Sequence, residues 1–248
     1  MLPFGVGYSR RMAHPLSKSP QPQEWTFRRA SWLGGALLFV FAGVVTPTAA
    51  ADQRRSEPED RIDVISVDRR VLAVNANGGL PELDLEIGEE VTDTQSDGLV
   101  GVAATNTRLL GITSESGSWR ELRLRVSERR ALDRGNRIHV GDRVALAVLD
   151  ERIAALALGS TGWNELALTP REKIEHAKVG ANVAGVATQL RAIGFSAGSG
   201  FVSIALRPNE EIRESSVKDS SIVLTTNVRL LIFREGSGIW LERRRFRR

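Results

Sequence analysis

Hydrophobic and polar positions recur along this chain with a period of roughly forty residues. Each period holds an apolar run, a short polar turn, a second apolar run that begins at an arginine, and a Gly/Ser turn followed by an alternating segment. The recurring arginines are Arg70, Arg108, Arg152, Arg191 and Arg229, separated by 38, 44, 39 and 38 residues. This fixed spacing predicts five copies of one structural unit.

Within a unit, the pattern predicts antiparallel β-strands. Val100 to Ala104 and Ile222 to Leu224 are apolar runs of strand length. Thr105-Asn106-Thr107 then turns the chain, since asparagine tolerates the left-handed backbone of a tight turn. Trp119 to Leu124 alternates in polarity, as a half-buried strand does. Segments such as 89–94 and 210–215 lead into the next unit, so we expect three to four strands per unit.

One segment favours a helix locally. Thr169-Pro170-Arg171-Glu172 combines a cap residue, a first-turn proline and a capping-box glutamate, and Gly180 could end the helix. The equivalent positions Val91, Thr92 and Ile212 in sister units favour extended chain. We therefore predict a strand here, with at most a helical turn at its start.

Short antiparallel strands repeated at this period are typical of a β-propeller. Ser116-Gly117-Ser118-Trp119 and Ser160-Thr161-Gly162-Trp163 place a tryptophan after a Ser/Thr-Gly turn, which resembles the broad class of WD-type and quinoprotein-type repeat propellers. The quinoprotein repeat usually has an aspartate before that turn and a longer gap to the tryptophan. The resemblance covers Asp60 to Glu242 and implies architecture only.

We therefore expect an all-β fold, a propeller-like ring of about five antiparallel repeats. The fifth copy stops after its third strand. Residues before Ile62, or the tail Arg243 to Arg248, would supply the missing strand. An open stack, or closure between chains, is the alternative.

The first 51 residues are typical of an export leader. Arg28 and Arg29 precede the uncharged apolar run Trp32 to Val45, and Ala49-Ala50-Ala51 offers small residues for cleavage. We predict a cleaved signal peptide at about residues 25–51, with an inner-membrane anchor as the alternative, and Met1 or Met12 as the start. A polar linker (52–59), the repeats (60–242) and a basic tail (243–248) follow. The mature protein is then periplasmic or secreted.

The net charge of +4 belongs to this leader. Five basic residues before position 52 face only Glu24, which leaves 29 basic and 29 acidic residues in the remainder. A balanced charge gives no reason to expect a nucleic-acid partner. The chain has no cysteine, so burial of apolar surface has to hold it together.

The recurring arginines allow two interpretations. They could form a ring that grips an anionic ligand, or each could pair with a glutamate thirteen residues later. The second interpretation pairs Arg108 with Glu121, Arg152 with Glu165, and Arg229 with Glu242. Trp119, Trp163 and Trp240 lie eleven residues after the same arginines, and we expect them to pack within the unit beside these pairs rather than to bind sugars.

Units one and four have Leu83 and Ile204 at the position of that glutamate, and they also lack the tryptophan. Glutamate and tryptophan are thus present or absent together, which favours a structural pair. Arg70 and Arg191 lack this partner, so they are the candidate ligand-binding residues.

Catalytic patterns are weak. His139 and His176 have no second histidine or cysteine at ligand spacing, and adjacent carboxylates such as Glu89-Glu90 would point to opposite faces of a strand. We predict that the protein binds no metal and no cofactor and that it is not an enzyme. We predict instead an exported propeller that binds a protein or an envelope component. A module for glycans or small ligands is the alternative. A propeller-fold hydrolase comes third, because it needs carboxylates from several units to converge on the axis.

Overall fold

A computed structural model describes residues 61–75, 78, 81–132 and 137–244. The predicted leader and linker, and residues 245–248 of the predicted tail, lie outside these ranges. The described chain forms five antiparallel sheets, one for each predicted unit, and the prediction of a β-propeller repeat protein is confirmed. Among the described residues, no helix has the length and apolar character to cross a membrane.

The first sheet has three strands and the other four have four strands each. In chain order the strands are β1 Ile62–Val67, β2 Arg70–Asn75 and β3 Glu82–Asp84; β4 Val91–Asp97, β5 Val100–Thr105, β6 Arg108–Thr113 and β7 Arg120–Arg123; β8 Ile138–Val140, β9 Val144–Val148, β10 Arg152–Ala157 and β11 Asn164–Ala167; β12 Ile174–Val179, β13 Val183–Thr188, β14 Arg191–Ser196 and β15 Gly200–Ala205; β16 Ile212–Lys218, β17 Ser221–Thr226, β18 Arg229–Arg234 and β19 Trp240–Arg244.

Sequence order and spatial order agree in every sheet, so each sheet is a meander. The segment expected to lead into the next unit is the first strand of the next sheet, as with β4 and β16. Each recurring arginine from Arg108 onwards begins the third strand of its sheet, and Arg70 begins the equivalent strand β2. The first sheet therefore lacks, among the described residues, a strand equivalent to β4.

The middle strands of the second, third and fourth sheets are almost entirely buried because each of these sheets is covered on both faces. All residues of β5, β6, β9, β10 and β13 are buried. Small apolar residues such as Ala103 and Ala154 fill these strands, since two backbones must approach each other closely between sheets. This explains why the middle strands are continuous apolar runs rather than alternating ones.

Four hydrophobic clusters join the sheets in sequence: the first to the second, the second to the third, the third to the fourth and the fourth to the fifth. A second set of contacts repeats with them, in which an amide at the start of a second strand donates to a turn carbonyl of the following sheet. Examples are Leu99 N to Asp142 O at 2.7 Å and Asn182 N to Asp219 O at 2.7 Å.

Two glycines show how tightly neighbouring sheets interlock. A Cβ atom built on Gly111 would lie 2.5 Å from Leu156 Cδ2 and 2.8 Å from the Trp163 ring of the next sheet. A Cβ on Gly194 would lie 2.5 Å from the Phe233 ring. In each case a large side chain of one sheet occupies the space that a missing side chain leaves in the sheet before it.

The third unit contains a feature that the pattern did not predict. Helix α1, Val126–Leu132, lies between β7 and β8, where sister units have only a short turn. The longer spacing of 44 residues between Arg108 and Arg152 accommodates it. At Thr169 the prediction of a strand is correct, since β12 follows after a single turn. The local helix signal at Thr169 instead describes that turn.

We expect Gly194→Ala to lower the free energy of unfolding by about 1–3 kcal/mol, because the added methyl group must displace the packed Phe233 ring. Gly198→Ala, in the turn of the same sheet, is the matched control, since nothing lies within 4 Å of its Cβ position. Urea denaturation compares the two variants. Equal stabilities would contradict the proposed close packing.

Candidate functional site

A buried glutamate organises one end of each complete sheet. In the second sheet, Glu89 precedes β4, and its side chain has no exposed surface. It accepts five hydrogen bonds: two from the guanidinium of Arg108 at 2.8 Å, one each from the hydroxyls of Thr105 and Thr107, and one from the Glu86 amide. The ion pair thereby ties the entry of the first strand to the start of the third.

The same arrangement repeats in the next three sheets. The buried glutamate and its arginine are Glu128 with Arg152, Glu172 with Arg191, and Glu210 with Arg229, each pair joined through two guanidinium nitrogens. Each of these glutamate side chains has no exposed surface. The second guanidinium nitrogen also donates to a backbone carbonyl near the end of the preceding sheet's last strand, as with Arg229 to Ala205 O at 2.9 Å.

The glutamate also closes a four-residue turn. Its carboxylate accepts a hydrogen bond from the amide three residues earlier, and its own amide donates back to the carbonyl of that residue. The bond from the earlier amide to the carboxylate is the one that the glutamate makes in a helix capping box, while the return bond here goes to a backbone carbonyl. The turns are 86–89, 125–128, 169–172 and 207–210. In three of them the residue before the glutamate has a positive φ: Gly88, Arg171 and Asn209.

A side-chain amide clamps three of these turns from the other side. Asn106 Nδ2 donates to Gly88 O at 3.0 Å, and its Oδ1 accepts from Glu90 N at 3.2 Å. Gln189 and Asn227 make the same pair of contacts in the fourth and fifth sheets. The predicted Thr-Asn turn between the second and third strands thus lies beside the glutamate turn, at the same end of the sheet. We call this end of each sheet, where the glutamate turn and the recurring arginine lie, the arginine end.

The charges of these groups are held firmly. Burial raises the pKa of Glu89, but hydrogen bonds from Arg108 and the two threonines outweigh this and lower the pKa to about 2. The balance is the same for Glu172, whose pKa is also about 2. The pKa of Arg108 is raised by its hydrogen bond to Glu89. A guanidinium occupied in this way is not available to a ligand.

The structure also brings together the pairs chosen from the sequence. Arg108 Nη1 lies 2.7 Å from Glu121, Arg229 Nη1 lies 2.5 Å from Glu242, and Arg152 contacts Glu165. These outer glutamates have side chains about 40% exposed: 41% for Glu121, 42% for Glu165 and 40% for Glu242. They are the weaker partners, because exposed ion pairs contribute little.

Arg70 and Arg191 lack the glutamate thirteen residues later, as the sequence shows, but each has other acidic partners. Arg191 binds the buried Glu172, and Arg70 binds Asp84 at 3.0 Å and Glu82 at 3.2 Å. The sequence comparison considered only the glutamate that follows the arginine, and in the fourth sheet the partner precedes it. Arg70, with a side chain 58% exposed, is the more accessible of the two. A ligand-binding role for either arginine stays a prediction.

The tryptophans connect neighbouring sheets. Their indole nitrogens donate to a backbone carbonyl near the last strand of the preceding sheet: Trp119 to Pro81 O, Trp163 to Arg120 O and Trp240 to Val202 O, at 2.9 to 3.0 Å. Their rings pack in or against the inter-sheet clusters. The tryptophans therefore pack between sheets rather than beside the arginine pairs.

Each glutamate turn also presents an apolar residue to solvent. The second position of the four turns is Ile87, Val126, Pro170 and Pro208, and we call this set the apolar turn row. Ile87 is 95% exposed and Val126 is 79% exposed, and both prolines are exposed. Leu190 and Val228, in the neighbouring turns of the same end, are 49% and 43% exposed. Ile87 and Val126 are thus large apolar side chains exposed to solvent, and Pro170 and Pro208 occupy the second turn position, which proline favours.

The first strands of the second to fifth sheets line an open cavity of about 560 Å³. Its polar lining residues are Gln95, His139, Lys178, Ser215 and Ser216. Lys178 Nζ donates to Ser215 O at 2.7 Å, and burial lowers the pKa of His139. None of the residues that line this cavity is a carboxylate. Among the described residues, no three histidines or carboxylates cluster as metal ligands would.

No family model and no curated protein matches the chain. Among solved structures, Prp20p of Saccharomyces cerevisiae, described with its binding to Gsp1p and histones, is 8% identical over 72% of this chain and 56% of its own, with a TM-score of 0.39. YCF48 bound to a D1 peptide is 12% identical over 70% and 61%, with a TM-score of 0.33.

PorZ, a surface component of the type-IX secretion system of Porphyromonas gingivalis, is 13% identical over 75% of this chain and 26% of its own, with a TM-score of 0.36. The chain spans less than two thirds of each of these proteins. The fold assignment rests on the sheets described above, and these likenesses add nothing about what the chain binds.

Sequence reasoning missed the central glutamate. Glu89, Glu172 and Glu210 each lie nineteen residues before their arginine, so a signal was present. Glu128 lies twenty-four residues before Arg152 because helix α1 intervenes. The pattern was concealed by the insertion in one unit and by the interpretation of Glu89-Glu90 as neighbouring strand residues that point to opposite faces.

We expect Glu89→Gln to lower the free energy of unfolding by about 3–5 kcal/mol at neutral pH, because it leaves Arg108 buried without its counter-charge. Glu121→Gln removes the exposed partner of the same arginine and should cost less than about 1 kcal/mol. Chemical denaturation measures both. A larger loss for Glu121→Gln would reverse the assignment of the main partner.

Acid should weaken this network in a defined range. The folded pKa of Glu89 is about 2, below its ordinary value of 4.5, so its contribution is complete above pH 4.5 and disappears as the pH falls through 2. The stability difference between the wild type and Glu89→Gln should therefore shrink as the pH falls through this range. A difference that is constant with pH would show that Glu89 is not held as a carboxylate.

Proposed function

We propose that this protein is an exported, non-enzymatic β-propeller that binds a protein partner at its arginine end. The observation that carries the proposal is the apolar turn row, which repeats one exposed apolar residue at one position in four turns. Interfaces between proteins obtain much of their binding energy from a few apolar anchors surrounded by polar residues.

The rigidity of the row supports this function. Ile87 lies in a turn whose glutamate accepts five hydrogen bonds and whose outer side is clamped by Asn106. A partner that binds a pre-organised turn pays little ordering entropy. The charged side chains next to the row, such as Glu86, Arg125 and Arg207, are exposed and could form the polar rim.

The exported part of the proposal rests on the leader pattern in the first 51 residues. A periplasmic or secreted location makes a protein or another envelope component the natural partner. The non-enzymatic part is supported by the use of the recurrent charged residues in structural pairs. The hydrolase alternative needs carboxylates that converge on one site, and none of the residues that line the cavity between the first strands is a carboxylate.

The test is a pull-down from envelope extract with wild-type protein and with the double variant Ile87→Asp/Val126→Asp. We expect a partner that the wild type retains and the variant loses, because a charge in each anchor opposes burial. Ile239→Asp is the matched control, since Ile239 is 57% exposed but lies in the β18–β19 turn at the opposite end of the sheets. Failure to recover a partner, or a partner that the double variant retains, would contradict the proposal.

A small ligand or glycan is the second candidate, and the cavity lined by the first strands of the second to fifth sheets is the observation that favours it. A cavity of about 560 Å³ is within the range of ligand sites, and hydroxyl, amide and ammonium groups line it. We expect a glycan panel to raise the melting temperature of the wild type but not of Lys178→Ala. A ligand whose effect survives this change and is lost in Arg70→Ala would instead favour the exposed arginine.

A further inference from the structure

Each sheet has two faces with distinct partners. The forward face packs on the following sheet, and the backward face packs on the preceding one. In the second sheet, Val102 and Leu109 lie on the forward face, and Ala103 and Leu110 lie on the backward face. Successive residues of a strand alternate between the two faces, so both can be assigned in every sheet.

The forward face of the fifth sheet has no following sheet among the described residues. Val223, Leu230 and Ile232 lie on it, and cross-strand pairing places Leu241 beside Ile232. All four retain solvent exposure, and Leu241 is 43% exposed. The equivalent Val102 and Leu109 of the second sheet are fully buried. This surface therefore has the pattern of an inter-sheet interface without its cover.

The backward face of the first sheet likewise has no preceding sheet among the described residues. Ile65 pairs with Leu72 across the strands, and Val67 and Val74 share the same face. Ile65 is 43% exposed and Val67 is 49% exposed. The opposite face of this sheet, with Ile62, Val64 and Val71, is buried against the second sheet. One side of the sheet is thus covered and the other is open.

The charges around the two open faces are opposite. The register places three basic residues and one acidic residue around the apolar centre of the fifth sheet: Lys218, Arg234, Arg243 and Glu214. It places three acidic residues and one basic residue around that of the first sheet: Asp63, Glu82, Asp84 and Arg70. All eight are exposed. Opposite potentials of this kind orient two surfaces toward each other.

The two faces of one chain do not cover each other. Within the described ranges, the four hydrophobic clusters join only consecutive sheets, and no recorded hydrogen bond or ion pair joins the fifth sheet to the first. We propose that the forward face of the fifth sheet packs on the backward face of the first sheet of a second copy of this chain. Such a head-to-tail contact gives a ring if its rotation closes and a filament if it does not.

The repeat predicts which residues meet in this contact. Gly111 of the second sheet faces Leu156 of the third, and Gly194 of the fourth faces Phe233 of the fifth. The equivalent positions at the open faces are Ile232 on the fifth sheet and Val74 on the first. The fourth sheet packs on the third without a tryptophan at the repeat position, so the absence of one near Pro81 does not prevent the contact.

The test uses introduced cysteines, because the chain has none of its own. Full chains carrying Val74→Cys and Ile232→Cys are made as separate proteins with tags of different size and are then mixed under mild oxidation. We expect a disulfide-linked heterodimer as the main product, and a wild-type mass by light scattering that rises with concentration to at least twice that of the monomer. The control replaces Ile232→Cys with Glu235→Cys, in the exposed β18–β19 turn, and should give little heterodimer.

The double variant Val74→Cys/Ile232→Cys, oxidised at high dilution, distinguishes closure within a chain. A cross-linked monomer would show that the five sheets close on themselves and would overturn the proposal. A failure of all pairs to cross-link, with a concentration-independent monomer mass, would also overturn it. Arg234→Glu/Arg243→Glu provides a further check, since it should weaken the association without changing the melting temperature of the monomer.

Discussion

A carboxylate with no access to water organises each complete sheet of this protein. Glu89 and its three counterparts are stable as anions only because a guanidinium, a backbone amide and, in most sheets, hydroxyl groups satisfy their oxygens. The pair joins the glutamate turn, which leads into the first strand, to the arginine at which the third strand begins. In the third sheet Leu149 replaces the threonine, and the pair persists without the hydroxyl.

The inter-sheet packing then follows from side-chain size. Glycines and alanines allow the sheets to approach, while tryptophan and phenylalanine rings fill the space. In three sheets the indole N–H of the tryptophan also donates to a backbone carbonyl of the preceding sheet. Each sheet contacts only its neighbours, so stability accumulates along the chain as it does in other repeat proteins. Among the described residues each end sheet has a single neighbouring sheet, so the apolar side chains of its outward face are more exposed than their counterparts in the inner sheets.

The sequence predicted the repeat, the strands and the outer arginine pairs because these depend on local periodicity and on constant spacing. It did not predict the buried glutamates, because burial of a charge depends on partners from three separate segments. Glu128 was further hidden by helix α1, which shifts its spacing from Arg152 by five residues relative to the other pairs. The segment from Thr169 to Glu172 has the residues of a capping box. The contacts of the Thr169 amide and hydroxyl with the Glu172 carboxylate close a single turn, however, and do not start a helix.

The interlocking of glycine with aromatic side chains has a consequence for how this chain can change over evolution. Gly111 accommodates Trp163, and Gly194 accommodates Phe233, so each unit is matched to the unit that follows it. Exchange of these units would separate each glycine from the side chain that now fills its space and would bring a different side chain against it. The five copies therefore share one structure but differ in the residues that contact their neighbours. The order of the units is thus itself specified by the sequence.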